Sequence, residues 1–287
     1  MRVGTTLKAA ATCLFLAVAL ILAPAPAVRA QSEKPPTVAP DRCLAMSEGP
    51  APTRFGGSAP PSLVRLAQLK PGDVRFSYVG HSTFLIETPR GVRIATDYND
   101  YVRPSVIPEI ATMNRAHTTH YTNSPDPSIK HVLRGWNPDG GAAQHDITVD
   151  DVRVRNIPTN IRSYSGSTDV WGNSIFVFEV ANLCIGHLGH LHHTLTTQQL
   201  AQIGQLDIVL VPVDGSFTLD VAGMIEVLKA LRAPLMIPMH YFSSHTLERF
   251  MHEARQIFEV ETSEVPTVVV SRATLPKKPK ILVLPGN

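Results

Sequence analysis

The chain has 287 residues, a formal net charge of +2, 44% hydrophobic and 17% charged residues. This near-neutral balance, with no long basic stretch, excludes a charge-built nucleic-acid surface and suits a globular, enzyme-like domain. Past residue 30 only Cys43 and Cys184 remain, too few for a disulfide-built scaffold.

Residues 1–30 read as a signal peptide. Arg2 and Lys8 form the basic start, "AAATCLFLAVALILA" is the apolar stretch, and Ala30 supplies the small residue for cleavage before Gln31. The apolar stretch is about 15 residues, short of the roughly 20 that span a bilayer, so no stable membrane anchor is expected after processing. Cys13 lies inside it without a lipid-attachment context. The expected location is across the inner membrane, in the periplasm of a Gram-negative source. Residues 31–70, rich in Pro, Ala, Ser and Gly, read as a linker or N-terminal arm, with a short helix around "PSLVRLAQL".

The domain is expected over 71–287. "DVRFSYVG" and "STFLIETP" alternate apolar and polar residues as strands do, with a turn at Gly80 between them. "GVRIATD", "DVRVRNIPT" and "NSIFVFEVANLCIG" continue in strands. Strand and helix then alternate: helix in "TLTTQQLAQIG", strand in "LDIVLVPVDG", helix in "DVAGMIEVLKALR", strand in "PLMIPMHY", helix in "SHTLERFMHEARQI". "TVVVS" and "KILVLP" are closing strands. Strand runs followed by strand–helix units imply two sheets covered by helices, a four-layer αββα sandwich. Cys184 lies in an apolar stretch, so a disulfide with Cys43 and a buried free thiol both stay open.

Five histidines carry the chemistry: His117 and His120 in "NRAHTTHYT", His187 and His190 in "CIGHLGHLHH", and His240 in "IPMHY". Each cluster follows or lies within an apolar run, where a strand would end and present side chains to a shared site. One such pair would be ordinary polar residues; three clusters at strand ends point to a metal site.

From Val74 to Tyr241 the chain resembles the metallo-β-lactamase superfamily, in particular its branch similar to bacterial ascorbate-6-phosphate lactonases and N-acyl-phosphatidylethanolamine phospholipase D. "VGHSTFLIET", "GVRIATD", "IGHLGHLHHTLT", "LDIVLVPVDGSFTLD" and "LMIPMHY" carry the resemblance, in order. The family's metal motif is His-x-His-x-Asp-His. Laid on this chain, its first His becomes Arg115, its second is His117, its Asp becomes Thr119 and its last is His120. A later family His has no counterpart at Asn160, Ile161 or Arg162; the bridging Asp falls on His190, and the final ligand on His240. The resemblance therefore implies that one of the two family metal positions is lost, while the other keeps His120 and His240 and gains His190.

The expected ligand core is thus His120, His190 and His240, with His117 as a conditional fourth ligand or a nearby base. Three neutral imidazoles suit one divalent ion, zinc first, with iron or manganese as alternatives, and leave an open position. Arg115 would repel a second ion and could hold a substrate carboxylate or phosphate, although a structural salt bridge explains it equally. Thr119 cannot act as the ionised base that the family Asp provides. His81 is a candidate to support the ligands, as are Asp97 and Asp214 at strand ends, with caps and turns as the plain alternatives. His187, His192 and His193 surround His190, one or two of them expected in solvent. Arg134 and Trp136 could wall the pocket, with core packing the plainer role for Trp136.

Two functions follow. The first is an exported metal-dependent hydrolase of an ester, lactone, amide or phosphodiester, with metal-bound water as nucleophile and a small molecule, anionic ones included, as substrate. The second is a non-hydrolytic periplasmic metal- or ligand-binding protein, or a three-His iron redox enzyme on the same fold.

Overall fold

The computed structural model describes residues 43–44, 69–163 and 165–286, all within one unit, 40–287. The signal segment, the cleavage point at Gln31, nearly all of the arm and the helix expected near its end lie outside the described residues.

Among the described residues, fourteen strands form two sheets. In chain order they are β1 (Val74–Gly80), β2 (Thr83–Glu87), β3 (Arg93–Ala95), β4 (Ile110–Met113), β5 (His131–Arg134), β6 (Asp146–Val149) and β7 (Val152–Arg162). β8 (Thr168–Val180), β9 (Leu183–His187), β10 (Ile208–Pro212), β11 (Leu235–Met239), β12 (Glu259–Thr262), β13 (Thr267–Val270) and β14 (Lys280–Val283) follow. The helices are α1 (Thr197–Ile203), α2 (Val221–Leu231) and α3 (Ser244–Ala254). One sheet runs β13-β1-β2-β3-β4-β5 and the other β12-β14-β11-β10-β9-β8-β7-β6.

Side-chain alternation builds the layers. Along β1, Val74, Phe76 and Tyr78 are buried, while Arg75 on the opposite face pairs with Glu87 of β2 at 3.1 Å. In the second sheet, Phe176, Phe178, Ile208 and Leu210 join Phe76 and Ile86 in the core between the sheets. Their neighbours Ile175, Val177, Val209 and Val211 face the other way, onto Met224, Leu228 and Phe250 of the helices. Each large apolar side chain so buried contributes about 1.5–3 kcal/mol. This is the expected α/β sandwich; the three α-helices among the described residues pack on the eight-stranded sheet.

The helices start where their caps dictate. Thr196 accepts from the backbone N–H of Gln199, whose side chain accepts from the Thr196 backbone in return. Asp220 and Ser243 cap α2 and α3 in the same sense, accepting from Gly223 and Thr246. The strands the sequence reading passed over, β4, β5, β6 and β12, have four residues each. β4 is buried at every position, so it carries no alternation to read.

Cys43 and Cys184 are joined in a disulfide. The Cys43 carbonyl also accepts from the backbone N–H of Gln205 at 2.8 Å, directly after the end of α1. Gly204 permits this contact: a Cβ there would stand 2.2 Å from the Cys43 oxygen.

Candidate metal centre

The site lies beyond the C-terminal ends of β3, β4, β9, β10 and β11, where chain segments leave the sheets together. β3 and β4 are parallel, as are β9, β10 and β11, so their outgoing loops converge at one edge. His81 comes from the β1–β2 turn. His81, Asp97 and His240 all have left-handed backbones, with φ of 52°, 42° and 56°. Each costs on the order of 1–3 kcal/mol for a residue with a Cβ, a cost that the packed surroundings must offset. The His81 carbonyl helps, accepting from the His240 N–H at 2.6 Å and from the Tyr78 hydroxyl at 2.8 Å.

His81, His117, His120 and His240 bring one ligand-capable nitrogen each to within 4.8 Å of one another. The Nε2 atoms of His120 and His240 are 3.1 Å apart. His190 is outside that group of four but borders it: its Nε2 is 3.1 Å from Nε2 of His117. Its ring centroid is 4.7 Å from that of His120 and 4.8 Å from that of His240. Thus all four residues expected to hold a metal meet in one place, and His81 joins them.

Two carboxylates orient the innermost rings. Nδ1 of His240 donates to Asp214 at 3.0 Å, and Nδ1 of His120 meets Asp97 at 2.5 Å. Asp214 also accepts from the Ser216 N–H at 2.9 Å, the Phe217 N–H at 2.5 Å and the Thr218 hydroxyl at 2.5 Å. Burial alone would raise its pKa, but its pairing with His240, with the turn donors, holds it far below the usual carboxylate range. Asp97 is fully buried, and that burial pushes its carboxyl up, against the pull of His187 and hydrogen bonds from Asn114 and Ser82. Burial, reinforced by neighbouring imidazoles, holds His120 and His190 well below the ordinary imidazole value. His81 is lowered to about 3 by the same causes.

Thr119, in the position of the family's Asp, bridges two imidazoles: its hydroxyl lies 2.7 Å from Nδ1 of His117 and 2.8 Å from Nε2 of His81. On the far side, His190 Nδ1 is 2.6 Å from His192 Nε2, and His192 Nδ1 accepts from Arg162. His192 is lowered to about 4 by burial and by the Arg162 charge. Gly189 turns the chain into this corner with φ of 60°, where a Cβ would come 2.4 Å from both the Asn114 and Asn173 side chains.

The remaining candidates have other roles. His187 is fully buried, its Nε2 on the Ser82 carbonyl at 3.0 Å, and ties β9 to the β1–β2 turn. His193 meets the Asn160 N–H and the Thr194 carbonyl. The Arg115 side chain is 56% exposed and pairs loosely with Asp169 at 3.9 Å. Trp136 packs edge-on against Tyr121 at 5.5 Å beside a small core cluster, in keeping with its plainer role. The Arg134 carbonyl is held by His145 at 2.7 Å. Asn114 and Asn173 went unread in the sequence: Asn114 donates to Asp97 at 2.9 Å, and Asn173 accepts from the His190 N–H at 2.7 Å. Also unread was the exposed pair Phe217 and Phe242, rings 5.4 Å apart, with Phe242 5.3 Å from His240. A groove of about 830 Å³ beside β6, β7 and α1 contains none of the clustered imidazoles.

Residues 75–240 match the β-lactamase superfamily domain. The chain belongs to that family. Among curated relatives, a UPF0173 metal-dependent hydrolase of Nanoarchaeum equitans is 22% identical over 217 residues, covering 69% of this chain and 97% of the relative. Another from Thermoplasma volcanium is 27% identical over 190 residues, covering 59% and 84%. A solved structure from Thermotoga maritima, described as a Zn-dependent hydrolase of the metallo-β-lactamase superfamily, aligns with a TM-score of 0.56 and 26% identity. It covers 75% of this chain and the whole of that protein.

The residues fit a divalent cation on their own chemistry. His240 has its ring proton committed to an ionised Asp214, and Nδ1 of His120 lies against Asp97, so the two Nε2 atoms turn toward each other. Two buried carboxylates, with no Lys or Arg ion pair to either among the described residues, leave a place where a divalent ion would favour their charged form.

Proposed function

We propose that this chain is an exported metal-dependent hydrolase that holds one divalent ion, zinc first among candidates, through His117, His120 and His240. One observation carries the reading: two imidazoles, each anchored at Nδ1 by a buried carboxylate, turn their Nε2 atoms toward each other at 3.1 Å. That arrangement belongs to metal sites, where the second partner fixes the ring and its tautomer. When bound, the ion supplies Lewis acidity and lowers the pKa of water enough for attack at neutral pH. The named relatives are metal-dependent hydrolases, which supports hydrolysis over binding alone. A single ion is favoured because Arg115 stands at a family ligand position and pairs with Asp169, and no His stands at Asn160, Ile161 or Arg162.

The chain's own residues do the rest. Asp97 and Asp214 fix the rings, and Thr119 holds His117 and His81 without being a base. Phe217 and Phe242 offer an apolar rim beside His240, suited to an ester, lactone, amide or phosphodiester with an apolar substituent. The disulfide supports export, since such bonds persist in oxidising compartments. Metal analysis of the purified protein, run beside an ester, lactone, amide and phosphodiester panel, tests the proposal. About one equivalent of zinc and turnover lost on chelation are expected; a metal-free protein, or one indifferent to chelator, overturns it.

A further inference from the structure

One flank of the imidazole cluster has a fixed hydrogen-bond direction. Arg162 has only N–H groups to offer. Its backbone N, at 3.2 Å, and its Nε, at 3.0 Å, both meet Nδ1 of His192. Its terminal nitrogen is held by the Ser216 and Thr218 carbonyls at 3.1 and 3.0 Å, so the guanidinium is braced. Nδ1 of His192 is therefore an acceptor, and that ring carries its proton on Nε2. Nε2 in turn lies 2.6 Å from Nδ1 of His190, which must accept, leaving the His190 proton on its own Nε2.

The direction continues inward. The His190 Nε2–H points at Nε2 of His117, 3.1 Å away, so His117 keeps its proton on Nδ1 and donates to Thr119 at 2.7 Å. Thr119 has one hydroxyl proton left, and it goes to His81 Nε2 at 2.8 Å. Reversing the chain would set a His192 Nδ1–H against two Arg162 N–H groups, donor against donor.

We propose that His190 serves as a fixed neutral hydrogen-bond donor to the anionic oxygen of the substrate rather than as a metal ligand, with Arg162 and His192 as the positioning residues that set its tautomer. This rests on the reading of His117, His120 and His240 as the metal-holding set. An Nε2 that carries a proton has no lone pair for a metal, and Nδ1 is spent on His192. The other end of the ring is steadied by the His190 N–H on Asn173. Because Nδ1 accepts from His192, the ring is uncharged and donates without adding a cation to the site. Once the His117 lone pair is committed to an ion, the His190 proton faces the reaction space. Acyl and phosphoryl hydrolysis both build negative charge on an oxygen, and a donor aimed at that oxygen is worth about 10²–10³ in rate.

Long-range proton–nitrogen correlation spectra of ¹⁵N-histidine-labelled protein test this, metal-free and zinc-loaded, with the His190 ring assigned by its loss in His190→Gln. A protonated Nε2 is expected in both states; an unprotonated Nε2 overturns the proposal. In His192→Phe the His190 ring should become a mixture of tautomers with the fold unchanged, and a ring still wholly Nε2-protonated removes His192 from the role. His190→Ala should keep zinc affinity within about threefold while kcat falls about 10²-fold. His190→Gln, which restores an N–H donor without an imidazole, should recover part of the rate. Loss of zinc in His190→Ala makes it a ligand and ends the idea. Should the parent bind no zinc, the proposed function falls, while the metal-free spectrum still decides the tautomer.

Discussion

The two flanks of the site solve the same problem, holding imidazoles still, with opposite chemistry. On one, Asp97 and Asp214 accept from Nδ1 of His120 and His240, and the far nitrogens are left as acceptors facing inward. On the other, Arg162 starts a relay of neutral donors through His192, His190, His117 and Thr119. Acceptors gather a cation, whereas a donor chain that begins on an arginine delivers N–H groups. The difference teaches that five similar rings within a few ångströms need not share a role, because the proton on each is set from outside the cluster.

Breaking the carboxylate flank should have the largest effect. Asp214→Ala strips an acceptor from several backbone and hydroxyl donors at once, and should destabilise the metal-free protein by about 3–5 kcal/mol in urea unfolding. Asp97→Asn separates stability from affinity: burial already disfavours that charge, so unfolding should change little, while zinc binding by competition with a chelator weakens about 10–100-fold. A gradual pH effect sharpens the contrast further. Histidines whose folded pKa is depressed bind fewer protons than the unfolded chain below pH 6.5. Metal-free stability should therefore fall as pH drops from about 6.5 toward the values of about 4 for His192 and 3 for His81. Asp97 and Asp207, both raised by burial rather than lowered, oppose that slope. Unfolding curves at stepped pH measure the sum, and a flat profile would contradict the buried neutral cluster. The smallest change is expected at Arg115→Ala, less than about 0.5 kcal/mol with unchanged zinc content, because its partner is 3.9 Å away and both side chains meet solvent.

Much of the architecture was legible because its signals are local. Alternation in "DVRFSYVG" and apolar runs ending in His or Asp each need only neighbouring residues. His117, His120, His190 and His240 could be gathered on paper because each follows a strand. His81 could not be weighed the same way, since only the left-handed turn after Gly80 and the carbonyl contact with His240 carry it into the group. The direction of the relay was further out of reach. Arg162 and His192 are thirty residues apart, and they meet where β7 shifts register against β8 between Thr159 and Ile161. Sequence can propose an imidazole; only its partners say which nitrogen bears the proton.

The bridge between Cys43 and Cys184 spans 141 residues and divides the imidazoles: His81, His117 and His120 fall inside the closed loop, His190 and His240 beyond it. The Ser-rich tip joining β7 to β8, with Ser165 and Ser167 exposed, is also inside. Exposed polar tips of this kind are where proteases nick a folded chain. A cut at this one would leave two polypeptides, each with part of the histidine set, still covalently one molecule with both sheets in place. Wherever proteases reach that tip, the link lets the protein outlast an injury that would otherwise part its two halves.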